Sequence, residues 1–330
     1  MPLLLVVIIF VALVFDYTNG AHDTGNVVAT VIATRSLTPK QAVAIAAVLN
    51  FLGAMVGDKV ALTVGKGIVN TAAIMDCHTL VLAALLGAIF WNLLTWVLGL
   101  PSSSSHALVG GLIGAGWAYG GRATLEFSSI FWKVILPIFL SPLCGFLVGY
   151  GATLALAWMS VGARPKSANR LFRRLQVISS SIMAFSHGMN DAQKTMGIIT
   201  LALFIFGRIP SIAVPLWVKI FCAIVMMLGT VTGGWKIVKT MSSKFFTMEP
   251  IHGLAIQTAS AAVIEGATVL GAPISTTHVI SASVLGSGSV RSLATVRWGV
   301  AGRMVIAWFL TLPAAALVGA LMFRLLQWVF

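Results

Sequence analysis

Leu98-Gly99-Leu100-Pro101-Ser102-Ser103-Ser104-Ser105-His106 is answered, 172 positions later, by Leu270-Gly271-Ala272-Pro273-Ile274-Ser275-Thr276-Thr277-His278. Each stretch closes one apolar segment and opens another. In each, a proline and a run of hydroxyl residues suit the first turn of a new helix. Working outward at the same offset, Gly114 and Gly116 are matched by Gly286 and Gly288. Upstream, Gly20-Ala21-His22-Asp23 recurs as Gly188-Met189-Asn190-Asp191, 168 positions on. Acid and histidine are 83 positions apart in one copy (Asp23, His106) and 87 in the other (Asp191, His278). One half of the chain therefore repeats the other.

Composition states the solvent of this duplicated unit. Of 330 residues, 58% are hydrophobic and only 9% charged, where a soluble domain carries about 25% charged residues. That excludes a soluble globular protein and, with so little charge, a disordered one. Cys77, Cys144 and Cys222 are too few and too scattered for a disulfide framework or a thiolate metal site. A spanning helix needs about 20 apolar residues, so the expectation is an all-α integral membrane protein with roughly 10–12 membrane segments. Its localisation would be the inner (plasma) membrane of a bacterium or archaeon.

The net charge of +13 does not make a nucleic-acid-binding face, because the basic residues lie between apolar runs. Arg164, Lys166, Arg170, Arg173 and Arg174 crowd the stretch from Val161 to Gln176, which reads as a cytoplasmic loop by the positive-inside rule. The organisation expected is a first transmembrane repeat over 1–160, this basic loop over 161–175 and a second repeat over 176–330. Pro2 to Phe15 lacks a basic start and a small-residue cleavage site, and reads as a retained helix rather than a signal peptide. The apolar runs that follow are interrupted by polar residues at Asp16–Asp23 and again at Ser186–Lys194. Both interruptions predict broken helices whose polar backbone lines a cavity. Matching interruptions in duplicated halves, with re-entrant hairpins at the Ser/Thr runs, are the mark of a secondary transporter with its site at the repeat interface. An odd number of crossings per half would make the repeats inverted.

Residue chemistry points to an anion and a cation. Ser103, Ser104 and Ser105, repeated as Ser275, Thr276 and Thr277, place hydroxyls and helix-start N–H groups where a tetrahedral oxyanion such as phosphate or sulfate can be wrapped from two sides. Asp23 and Asp191 are acids within apolar sequence, and a buried carboxylate must be paired, bind a cation or take up a proton. Asn19, Asn26, Asn190 and Gln193 offer amide oxygens for a small hard cation. Lys194 either pairs with Asp191 or contacts the anion, and the sequence leaves both open. Asn50 and Gln257, within apolar runs, can line a polar cavity or join helices. His106 and His278 follow the hydroxyl runs and can cap, pack or shuttle protons. Glu265 has no counterpart in the first half.

Together these residues resemble the inorganic phosphate transporter (PiT) family, with its duplicated Gly-Ala-Asn-Asp-Val-Ala-Asn-Ala signature and its Pro-x-Ser-[Ser/Thr]-[Ser/Thr]-His hairpins. The resemblance spans nearly the whole chain. It is nearest the bacterial Pit-type branch, judged by His22 to Thr30 and Ser186 to Lys194. It implies that Asp23 and Asp191 serve cation and phosphate transport, and that the runs at 103–105 and 275–277 form phosphate-binding hairpin tips. His22 departs from the signature Asn, Gly25 from Ala, and Lys194 stands where the second copy would have Asn. Asn50 and Gln257 occupy places where animal-type members carry acids. The family includes sodium-coupled members and proton-coupled, metal-phosphate-carrying ones. The neutral oxygens around both acids favour sodium.

The implied function is phosphate import by symport with sodium, or else with a proton, by alternating access and without a cofactor. Phosphate, the coupling ion and the lipid bilayer are the expected partners, and a homodimer is compatible with the sequence. Sulfate transport is the rival within the class. An anion channel and a membrane-embedded Ser/His/Asp hydrolase are the rivals outside it. A hydrolase would show one asymmetric constellation, whereas each half here carries its own acid and hydroxyl run.

Overall fold

The computed structural model describes residues 2–75 and 77–329, and it is helical throughout. In chain order the helices are α1 (Pro2–Ala33), α2 (Pro39–Ala54), α3 (Lys59–Gly67), α4 (Leu80–Leu98), α5 (Ser104–Gly120), α6 (Phe127–Ile130) and α7 (Leu136–Met159). The second half adds α8 (Pro165–Ile205), α9 (Leu216–Thr232), α10 (Trp235–Ser243), α11 (Pro250–Val269), α12 (Thr276–Ser289) and α13 (Trp298–Val329). Among the described residues the only β-type pairing is an isolated antiparallel bridge between Val69 and Leu125. The three cysteines are free.

Among the described residues, four continuous helical stretches are long and apolar enough to cross a membrane: Leu3–Ala33, Leu80–Leu98, Phe127–Met159 and Trp298–Trp328. Two bent pairs can each make a further span, α2 with α3 at 71° and α9 with α10 at 66°. Exposed Phe10, Leu147, Leu317 and Leu321 line the outer faces, as expected where the surroundings are lipid. The protein is thus an integral membrane protein.

Local sequence sets the breaks. Helix α2 starts on a capping box, with the Thr38 hydroxyl accepting from the Gln41 amide and the Gln41 side chain accepting from the Thr38 N–H, ahead of Pro39. Helices α4 and α11 are each followed closely by a left-handed glycine, Gly99 (φ 65°) and Gly271 (φ 69°), a conformation open to a residue without Cβ. After each, the chain turns through the proline and restarts on a serine N-cap. Ser103 and Ser275 accept from the amides of His106 and His278, both at 3.2 Å. The prolines of the two motifs therefore precede the caps rather than open the helices. These are the two hairpins, α4–α5 and α11–α12. Lysines from the bent pairs hold them: Lys236 donates to the Val97 carbonyl and Lys59 to that of Val269, each at 3.1 Å, positive charge at a helix C-terminus.

The halves are interleaved. Helix α1 packs on α9 and α10 of the other half, and α8 packs on α2 and α3. Hairpin α4–α5 lies against α13, and hairpin α11–α12 against α7. Each hairpin thus rests on the last long helix of the opposite repeat.

Two expectations are corrected. The segments Asp16–Asp23 and Ser186–Lys194 are not breaks: α1 and α8 run unbroken through them. Their glycines serve close approach instead, since a Cβ at Gly20 would lie 2.6 Å from the Met226 carbonyl oxygen and one at Gly188 would lie 2.2 Å from that of Asn50. Hydroxyls also fold back along α1, Thr18 to the Phe15 carbonyl (2.8 Å) and Thr24 to that of Gly20 (2.7 Å), so polar residues are accommodated without unwinding. The actual helix breaks are at the bent pairs and the hairpin tips. The basic stretch is likewise not a loop beyond Arg164, because α8 begins at Pro165 and carries Lys166, Arg170, Arg173 and Arg174 on its exposed first turns.

Candidate functional site at the crossing of the repeats

Helices α1 and α8 bring Asp23 and Asp191 to the tips of both hairpins, in the interior. Asp23 is 2% exposed and Asp191 fully buried. Each acid accepts a hydroxyl from the α11–α12 tip: Thr277 reaches Asp23 at 3.3 Å and Thr276 reaches Asp191 at 3.0 Å. Asn26, one turn beyond Asp23, donates to the Thr277 hydroxyl at 2.8 Å. Lys194, one turn beyond Asp191, pairs with that carboxylate and donates to Ser105 Oγ (2.5 Å) and to the Ile274 carbonyl (2.9 Å). Lys194 thus takes the first of its two sequence readings, pairing with Asp191, and holds a hairpin hydroxyl at once. Ser105 is directed at the same Ile274 carbonyl, 3.5 Å away. The two hairpin tips therefore meet, and a buried ammonium bridges them.

The remaining expected residues divide. Asn19, Asn26 and Asn190 each keep a buried side-chain oxygen with no hydrogen-bond partner, as does Ser104. Asn190 spends its amide N–H on Thr268 (2.7 Å). Ser103 and Ser275 are engaged as caps. Gln193 departs from its expected role as a cation ligand: its oxygen accepts from the amides of Val60 (2.9 Å) and Ala61 (3.4 Å), and its nitrogen donates to the Val56 carbonyl. It is the cap at the start of α3, and the elbow between α2 and α3 uses up its polar atoms. Gln257 ties α11 to α1 through the Val27 carbonyl (2.9 Å) and the Thr30 hydroxyl (2.5 Å). Asn50 donates to Thr230 at 2.9 Å. His22 contacts Asp23 (2.9 Å) and Thr95 (3.2 Å). His106 and His278 meet ring to ring at 4.7 Å, and His278 stacks on Trp308 at 4.2 Å, so they join the two hairpins one turn past the tips.

Three groups escaped the sequence reading. His187 lies 3.0 Å from Asp191 Oδ2 and 3.2 Å from Asn50 Oδ1. Ligand atoms of Asp23, His187 and Asp191 all fall within 4.8 Å of one another. Its signal was the four-residue spacing to Asp191, which shares a face only on a helix, and the segment reads as a break. Asp16, fully buried, accepts from Thr195 at 2.8 Å and leaves Oδ2 without a partner. Ser102 reaches Thr95 at 2.8 Å and so supports His22.

The arrangement can bind charge of both signs without water. Hydroxyls and helix starts suit an oxyanion, while carboxylates and amide oxygens suit a cation.

Comparison with known proteins places the chain among phosphate transporters. The chain is 47% identical over 328 residues to a probable low-affinity inorganic phosphate transporter of Mycobacterium tuberculosis, covering 99% of this chain and 78% of the relative. It is 43% identical to the Bacillus subtilis protein of the same description, covering 99% and 98%. An archaeal relative, a putative phosphate permease of Pyrococcus furiosus, is 28% identical over 401 aligned positions, covering 99% and 97%. A solved structure described as the sodium-dependent phosphate transporter shares the fold with a TM-score of 0.90 at 24% identity, covering 99% of this chain and all of that one. These relatives are transporters, and the hydrolase reading falls. The model of the phosphate transporter family matches residues 19–166 and 160–319, and the chain belongs to that family.

Proposed function

We propose that the chain imports inorganic phosphate by symport with a cation, sodium in preference to a proton, by alternating access around this midplane site. The observation that carries the reading is the convergence of two acid-bearing helices on two hairpin tips, with each acid bonded to a threonine hydroxyl of one tip. The buried Asp23 carboxylate, unlike Asp191 with its Lys194 partner, is left to repel a dianion. A bound cation offsets that repulsion, so phosphate and cation bind best together, which is the condition for coupling. The unpartnered oxygens of Asn26, Asn19 and Asn190 favour a metal cation over a proton, and the solved transporter of the same fold is sodium-dependent by its description. The halves are inverted repeats over 1–160 and 176–330, with the basic stretch between them facing the cytoplasm.

A second reading rests on one observation, the close set of Asp23, His187 and Asp191. These ligands suit a divalent cation, and proton-driven carriage of a metal–phosphate complex would use them. Radiolabelled phosphate uptake into proteoliposomes separates the readings. Accumulation under an imposed sodium gradient without added divalent metal, unaffected by excess sulfate, supports the first. Accumulation only under a proton gradient and only with a divalent metal supports the second.

A further inference from the structure

Asn26 and Lys194 hold equivalent places. Each follows its repeat's acid by three positions, and each donates to the corresponding hydroxyl of the opposite hairpin, Thr277 at 2.8 Å and Ser105 at 2.5 Å. One is a neutral amide and the other a fixed cation. An ammonium has three donors, and here it has three oxygens: the Asp191 carboxylate, the Ser105 hydroxyl and the Ile274 carbonyl. Carboxylate and carbonyl oxygens are also the ligands of hard cations, and carbonyls freed at helix breaks coordinate sodium in transporters built from repeats. At 2% exposure, Lys194 neutralises Asp191 from within the chain, as a buried charge requires.

The Asp23 half is built differently. Among the described residues no lysine or arginine pairs with Asp23, beside which His22 Nδ1 lies at 2.9 Å. The Asn26 oxygen there is buried and without a partner. Ser104, the counterpart of Thr276 in the other hairpin, likewise has a buried oxygen without a partner.

We propose that Lys194 is a tethered cation: its ammonium takes the cation position of the second repeat. The chain then couples phosphate to one mobile cation fewer than two equivalent halves would use, and the mobile cation is held by Asp23 and Asn26. The inference rests on the sodium-symport reading. It also has a physical consequence: the second half stays neutral whether or not sodium is present, so the sodium dependence of phosphate binding arises in the first half alone.

The test counts sodium. Radiolabelled sodium bound per chain is measured on the purified full-length protein at saturating phosphate, beside the Hill coefficient for sodium in uptake. Lys194→Asn restores an amide at this place and is expected to bind one more sodium ion than the wild type, with the Hill coefficient rising by about one. Lys194→Arg, which keeps the charge, is expected to bind the wild-type number. Asn26→Lys, the reciprocal change, is expected to bind one fewer, and it carries the test if Lys194→Asn does not fold. An unchanged sodium count in Lys194→Asn that still transports phosphate, or in folded Asn26→Lys, overturns the proposal. A wild type without sodium-driven accumulation, alongside a Lys194→Asn protein that gains a sodium ion, overturns the symport reading and leaves the tether standing.

Discussion

Asn26 on α1 and Thr277 at the tip of the opposite repeat's hairpin are joined by a 2.8 Å hydrogen bond across 251 positions of sequence. Lys194 and Ser105 repeat that relation in the other direction. Each acid-bearing helix is thereby tied to the hairpin of the other half. On the proposed alternating-access mechanism, a movement of one repeat against the other would act on both acids and both tips together.

Asp23→Asn and Asp191→Asn should each abolish cation-coupled phosphate accumulation while leaving insertion intact. Uptake is compared with the amount of monodisperse protein recovered from the membrane. Full coupled activity in both variants contradicts the role given to the acids. Asp191→Asn should also lower stability, because it leaves the Lys194 ammonium without its counter-charge, a loss of roughly 3–5 kcal/mol when a buried pair is broken.

Ser105→Ala combined with Thr277→Val should weaken phosphate binding more than sodium binding. Hydrogen bonds to a charged group contribute about 1.5–3 kcal/mol each, so loss of the two should lower phosphate affinity by roughly a hundredfold or more. Equilibrium binding of both ions checks it, and an unchanged phosphate affinity removes the hairpin tips from the site.

Gln193→Ala should behave as a stability variant. It removes the cap from the amides of Val60 and Ala61, at a cost of about 1 kcal/mol, and should lower the melting temperature without altering the number of sodium ions bound. Thermal unfolding followed by tryptophan fluorescence reads the first, and sodium binding reads the second.

Gly188→Val should prevent assembly of the α2–α8 contact. Even its Cβ would sit 2.2 Å from the backbone oxygen of Asn50, where a carbonyl cannot yield as a flexible side chain can. Size-exclusion chromatography of the detergent-extracted protein should show aggregate in place of the wild-type peak.

Much of this architecture was legible in residue order. The paired Leu-Gly-x-Pro stretches located both hairpins, because a left-handed glycine, a proline and a serine cap are local signals that act within a few residues. The acids and the hydroxyl runs were legible as partners because they recur at matched intervals. What was not legible depended on packing. Gly20 and Gly188 look like helix breakers in isolation, and only the neighbouring backbones of Met226 and Asn50 show that they are contact points. Reading a break at 186–194 concealed the helical face that joins His187 to Asp191, and it gave Gln193 a cation instead of the α3 amides. The interleaving of the halves follows from pairings between helices far apart in the chain, such as α1 with α9 and α7 with α12, which no local pattern encodes.

The most direct test of a coupled site is the mutual effect of its two ligands, measured on the purified protein by sodium titrations with and without phosphate and by phosphate titrations with and without sodium. Sodium should tighten phosphate binding, and phosphate should tighten sodium binding by the same factor, with both effects lost in Asp23→Asn. Affinities of each ion that are indifferent to the other, in protein that binds phosphate, would contradict a shared site built from Asp23, Asp191 and the two hairpin tips.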